Sequence, residues 1–223
     1  MAAAVDISRA ITVINSDKPR KKRGRPPAFD RQSVLARAAE TFWRLGYEGA
    51  SIVDLTGAMG ITPQSLYGAF GSKAQLYDEA LGWYRSEFGA LTPEALEGPD
   101  VLGTLGRLLV SEAKKFTDPD HPPGCMISTA VLGCSEENNP IADNVANLRR
   151  DAIGLIRKRL DRALSEGELA ADADPAAIAR YVGTIIQGMS VQARDGATEQ
   201  ELVAVAELAA SDLGRWRGSV LPA

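Results

Sequence analysis

Histidine and cysteine are scarce: one His and two Cys occur among the 223 residues. A lone imidazole leaves little acid–base chemistry near neutral pH. Two cysteines are too few for a disulfide framework, so a reducing, cytoplasmic setting is expected. The chain carries no GxSxG elbow, no P-loop, no HExxH and no CxxC. That argues against the hydrolase, nucleotide-binding, zinc-protease and thiol-redox classes those motifs mark. No apolar run approaches the roughly 18–20 residues needed to span a bilayer. The first 17 residues lack the basic start and apolar stretch of a secretion signal. No segment alternates with the period of a strand, and no internal repeat is found. We expect no enzyme, no cofactor, no metal site and no membrane partner. The composition is ordinary for a globular protein, 45% hydrophobic and 24% charged.

Charge is present but unevenly placed. The net charge is −4, yet residues 1–17 carry −1, residues 18–85 carry +5 and residues 86–223 carry −8. Six positive charges fall between Lys18 and Arg25, in "KPRKKRGRPPAFD". Pro19, Gly24, Pro26 and Pro27 prevent a continuous helix there, so residues 1–28 read as a flexible basic arm. A basic front suits a polyanion, which an acidic rear would repel.

Helical patterning begins at Asp30, which can cap a helix with the apolar face Val34, Leu35, Ala38, Phe42 and Leu45, ended by Gly46. Ser51, with Asp54 three residues on, starts a second helix that buries Ile52, Leu55, Ala58 and Met59 and closes at Gly60. Thr62 caps a short third helix, with Pro63 at its first position and its end near Phe70-Gly71. Ser72 and Gln75 cap a fourth, which runs through Leu76, Ala80, Trp83, Tyr84 and Phe88.

Further on, Leu102, Leu105, Leu109, Ala113 and Phe116 share a face, until the prolines of "DPDHPPG" (118–124) break the pattern. A short apolar helix is predicted from Cys125 to about Cys134. A long amphipathic one follows with Ile141, Val145, Leu148, Ala152, Ile156, Leu160 and Ala163. Asp174-Pro175 starts the next, with Ile178, Val182, Ile185 and Met189 inside. Thr198 and Glu201 cap the last, which carries Leu202, Val205, Leu208 and Leu213. The fold class is all-α.

In "SIVDLTGAMGITPQSLYGAF", residues 51–59 form one helix, Gly60-Ile61 the turn and residues 62–69 the next. That is helix-turn-helix spacing, in which the second helix enters the major groove. Ile61, Leu66 and Phe70 would face inward. Thr62, Gln64, Ser65, Tyr67 and Gly68 would face largely outward, and all are small or hydrogen-bonding. Spacing alone also fits an ordinary three-helix corner. The adjoining basic arm, and an outer face without acidic residues, favour DNA.

The segment "LARAAETFWRLGYEGASIVDLTGAMGITPQSLYGAFGSKAQLYDEAL" resembles the DNA-binding domain of the TetR family of bacterial transcriptional regulators, over about residues 30–82. The resemblance rests on "A-x-x-x-F-x-x-x-G-Y", the Ser51 start, the "MGITPQSLY" turn and helix, and the "F-G-S-K" junction. It implies a helix-turn-helix domain at 29–72, an effector-binding and dimerisation domain at 73–215, and a tail at 216–223. It implies a homodimer on a palindromic double-stranded DNA operator, usually a repressor released by a small molecule. By position, Ser51 and Lys73 would hold phosphates, Thr62, Gln64 and Ser65 would face bases and nearby phosphates, and Tyr67 a phosphate or thymine methyl. Gly68 and Ala69 depart from the aromatic or histidine pair of many relatives, so contacts at that edge are fewer.

Two readings of the arm stay open. Arg23-Gly24-Arg25-Pro26 resembles an AT-hook core for the narrow A·T minor groove, or the run is a polybasic tail that attracts phosphates. An architectural protein for A·T-rich DNA is the corresponding alternative function. In relatives the last two long helices form the dimer's four-helix bundle, here about 175–195 and 198–214. Gly183, Gly188, Ala206, Ala209 and Ala210 would permit close packing there, as they would in a monomer core. Trp83, Tyr84, Phe88, Phe116, Cys125, Met126, Ile127 and Leu148 are candidates to line an effector pocket, or plain core. His121, Cys125 and Cys134 raise the alternative of a metal- or thiol-sensing regulator of the same fold. Nine residues of continuous helix would separate the two cysteines by roughly 13 Å.

Overall fold

The computed structural model describes residues 29–129, 131 and 133–218; the basic arm with Arg23 and Arg25, and residues 219–223, lie outside the described residues. Nine α-helices follow one another among the described residues: α1 (Arg31–Gly49), α2 (Ile52–Met59), α3 (Pro63–Phe70), α4 (Lys73–Glu87), α5 (Val101–Phe116), α6 (Met126–Thr129), α7 (Asn139–Ser165), α8 (Pro175–Arg194) and α9 (Glu199–Leu213). None of them is long and apolar enough to cross a membrane.

Local chemistry sets the starts. Side-chain oxygens of Asp30, Ser51, Thr62, Ser72, Asp174 and Thr198 accept from the first free N–H groups of α1, α2, α3, α4, α8 and α9. Ser51 with Asp54 and Thr198 with Glu201 make reciprocal capping boxes. Asp100 caps α5 in the same way through the Gly103 N–H.

Two cores form. The first joins α1 to α4 with α6 and the start of α7, and includes Phe42, Trp43, Leu55, Leu66, Leu76 and Tyr77. The second joins α5, the end of α7, α8 and α9, around Leu105, Leu109, Ile156, Leu160, Val182 and Ala206. The long α7 therefore belongs to both, and α4, at the edge of the sequence-defined DNA domain, is built into its core.

Several expectations need correction. Gly46 adopts φ 76° and ψ 169°, a left-handed φ that glycine reaches without strain. Regular helix stops there, but a further turn carries the chain to Gly49. Leu45 is 44% exposed and Ala58 is exposed, so neither belongs to the core. The helix expected from Cys125 to Cys134 shrinks to Met126–Thr129, so rod geometry does not set the spacing of the two cysteines. Val205 and Leu208, read as inward, are 42% and 73% exposed.

Residues 216–218, read as tail, are docked. Leu169 and Arg217 form an antiparallel bridge. The Ala170 N–H donates to Trp216 O at 2.9 Å and the Gly218 N–H to Glu168 O at 2.9 Å. Of the small residues, Gly183 lets α7 approach: a Cβ there would lie 2.8 Å from Ile153 Cγ1. Ala206 and Ala209 are buried within the protomer, and Gly188 faces open space.

Candidate nucleic-acid interface and internal cavity

α2 ends at Gly60, whose φ of 67° turns the chain left-handed. The Ile61 N–H reaches back to Thr56 O at 3.2 Å, which fixes the turn. Thr62 Oγ1 then accepts from the Ser65 N–H at 3.2 Å and lies 3.0 Å from Ser65 Oγ. Pro63 fills the first helical position, where its missing N–H costs nothing. Leu66 is fully buried and Phe70 nearly so, and this inward pair pins α3 to the core. Burying one such leucine contributes about 2 kcal/mol.

Among the described residues nothing covers the opposite face of α3. Thr62, Gln64, Tyr67 and Gly68 are exposed. Ser65, expected to face outward, is half-buried and held by Thr62. A Cβ on Gly68 would meet nothing within 4 Å. Ser51 is exposed, with its oxygen engaged in the α2 capping box. Lys73 opens α4, half-buried, with Nζ 4.5 Å from the centre of the Tyr47 ring. Burial lowers its pKa, opposed by the Glu48 charge. In this conformation the ammonium rests on an aromatic face.

Residues that sequence reasoning missed brace this surface. Arg31 forms an ion pair with Glu79 at 2.8 Å, stacks over Phe70 at 4.5 Å and donates to Ala69 O. It thereby ties α1, α3 and α4 together. Glu48 Oε1 accepts from the Ser135 N–H at 3.0 Å, Ser135 Oγ at 3.2 Å and Asn138 Nδ2 at 2.9 Å. These donors hold the Glu48 carboxyl below its usual pKa, the Ser135 N–H first.

Behind this domain lies a cavity of about 240 Å³. Of the residues expected to line it, Tyr84, Phe88, Phe116, Cys125, Ile127 and Leu148 do so. Trp83 and Met126 do not: Trp83 packs against the first core, and Met126 is wholly buried in it. Trp43 and His121, not foreseen there, are part of the wall. His121 stacks on Trp43 at 4.7 Å and Trp43 meets Tyr84 and Phe88 edge-on at 4.8 and 4.9 Å. The α1 tryptophan thus reaches the cavity directly.

His121, Cys125 and Cys134 are each engaged with a different partner. The His121 ring faces Trp43, Tyr84 Oη donates to Cys125 Sγ at 3.4 Å, and Cys134 Sγ lies 3.8 Å from Asn139 Oδ1. Both thiols are free. Among the described residues no three His, Cys, Asp or Glu side chains gather as a metal site would require. Burial pushes the Tyr84 phenol far above its usual pKa, so it stays a neutral donor.

Two links connect the cavity with the helices α1 and α3. α4 presents Tyr84, and its C-cap Phe88, to the cavity, and its first turn follows directly on α3. From α8, Arg194 donates to the carbonyls of Trp43 at 2.8 Å and Arg44 at 3.0 Å, just before the Gly46 kink. Ser190 Oγ accepts from the Cys125 N–H at 2.8 Å.

A glycine turn, an inward-pinned short helix and its exposed polar face define a helix-turn-helix protein that continues into a helical rear. Residues 34–80 match the family described as bacterial regulatory proteins, tetR family, and residues 105–208 match the tetracyclin repressor-like C-terminal domain. The HTH-type transcriptional repressor ComR of Escherichia coli (strain K12) is 32% identical over 84% of this chain and 90% of its own. The repressor BdcR of the same organism is 25% identical over 83% of this chain and 90% of its own. A solved structure of the TetR family regulator CifR, a cysteine variant complexed with 26-base-pair operator DNA, is 40% identical. The match covers 86% of this chain and 100% of that one, with a TM-score of 0.80. The chain belongs to the TetR family of bacterial transcriptional regulators.

Proposed function

We propose that the protein is a homodimeric repressor that binds a palindromic operator and leaves it when a small molecule fills the cavity. The observation that carries this reading is the free outer face of α3: Thr62, Gln64 and Tyr67 stand exposed on a helix whose other side is locked by Leu66 and Phe70. CifR, with operator DNA in its solved complex, is similar over 86% of this chain. Ser51, Ser65, Lys73 and the arm with Arg23 and Arg25 supply phosphate or groove contacts in this reading.

This reading requires a second copy. One short helix reads few base pairs, so two must dock together. Val191, Val205 and Leu208 form exposed apolar positions on α8 and α9, where a partner would cover them. An effector in the cavity would bear on Tyr84 and Phe88 at one end of α4 and shift the reading heads at its other end, a population shift between spacings.

The experiment is Val205→Glu with Leu208→Glu. Charge at a buried symmetric face should split the dimer in sedimentation and abolish operator binding in gel shift, with helical content kept. A variant that stays dimeric, or that binds operator as a monomer with wild-type affinity, would refute this reading.

A further inference from the structure

The cavity mixes an aromatic and aliphatic wall with two guanidiniums that form no ion pair among the described residues: Arg85, which is exposed, and Arg149, which is half-buried. Arg149, on α7, lines it half-buried. Its NH1 donates to Ile127 O at 2.9 Å, which anchors the guanidinium without neutralising it. Among the described residues no carboxylate lies within ion-pair distance of Arg149. Of the cavity's two carboxylates, Glu112 is held by Lys115 at 2.9 Å, and Asp151 is exposed. Burial lowers the Arg149 pKa, and the neighbours that favour its charge are Tyr77 and Cys125, both weak acids. A guanidinium placed this way, with several N–H donors unspent, is complementary to a planar anion.

The remaining wall sets the ligand's body. Trp43, Tyr84, Phe88, Leu148, Ile153 and Ile186 offer apolar and aromatic surface. A cavity of about 150 Å³ accommodates benzene, so the 240 Å³ found here takes a substituted ring or a bicyclic one.

Building on the effector-release reading above, we propose that the effector class is a small aromatic carboxylate. Its ring lies against Trp43 and Phe88 and its carboxylate pairs with Arg149.

The test uses the full-length dimer and three probes, benzoate, 3-phenylpropanoate and 2-naphthoate, each beside its uncharged amide. Titration calorimetry and Trp fluorescence measure binding. At least one carboxylate should bind about tenfold or more tightly than its amide, the gain of a charge-assisted pair. Arg149→Gln should erase that preference, and Arg149→Lys should keep part of it, which separates lost charge from lost packing. Equal binding of acids and amides, or an acid preference that survives Arg149→Gln, overturns the proposal while leaving a neutral effector possible. No binding by any probe overturns it as well. Gel shift with bound carboxylate separates the two readings: an acid that pairs with Arg149 yet leaves the operator complex intact supports this site and counts against effector release.

Discussion

Replacing both Gln64 and Tyr67 by alanine should remove operator recognition and leave the fold unchanged. Both residues are exposed, Tyr67 by 48%. Exposed substitutions change stability by roughly 0.5 kcal/mol or less, and alanine favours helix over either residue. A base contact discriminates by about 1–3 kcal/mol. Two residues, each present twice in the proposed dimer, therefore withdraw about 4 kcal/mol at the low end, close to a thousandfold in Kd. The loss cannot run past the non-specific floor, typically 10³- to 10⁷-fold weaker than specific binding. The assay is fluorescence anisotropy at fixed salt, on an operator selected from random duplexes by the wild-type protein. Circular dichroism and sedimentation check fold and assembly. A well-folded dimeric double variant that holds the operator within about threefold of wild type would refute the assignment of α3 as the reading helix.

Gly71→Ala should destabilise the junction between α3 and α4. Gly71 has φ 79° and ψ −64°, and a Cβ would lie 2.1 Å from Gln75 Oε1. Gln75 can swing aside, but the backbone strain persists at about 1–3 kcal/mol; a urea midpoint unchanged from wild type would count against it. Glu48→Gln should flatten acid sensitivity. The Glu48 carboxyl titrates below its ordinary 4.5 when folded, so the folded state binds fewer protons. Its contribution is present above that value and lost as pH falls through the folded pKa. Thermal melts from pH 6 down to pH 3 should show a shallower decline in the variant, and identical declines would contradict the role given to Glu48. Removing residues 1–28 should weaken operator binding and reduce the salt slope by up to about 0.9 per basic residue engaged; equal slopes would show the arm idle.

Helix starts were legible because they depend on chemistry within a few residues: Asp30, Ser51, Thr62, Ser72, Asp174 and Thr198 cap where their sequence places them. Apart from half-buried Ser65, the outward face of α3 was legible too, because Leu66 and Phe70 are four residues apart on one stripe. Long-range partners were not. Arg194 reaches Trp43 O across 151 residues, and no local pattern announces it. Trp43 follows Phe42 on α1, about 100° round the helix from it, so the apolar stripe did not include it; packing buries it and turns it to the cavity. The α6 region reads as an apolar helix by composition, yet Cys125 spends its N–H on Ser190, an arrangement only tertiary structure supplies. Val205 and Leu208 fit an apolar helical stripe, but a pattern cannot tell a buried face from an exposed one.

The central claim is that two copies of α3 occupy the major groove together. Guanine N7 methylation protection on the selected operator tests it most directly, since N7 lies in that groove. Two protected patches are predicted, on one face of the duplex and separated by about 34–36 Å or a multiple of it, both lost with Gln64→Ala/Tyr67→Ala. Binding that leaves N7 reactive throughout, or a single protected patch, would contradict the account.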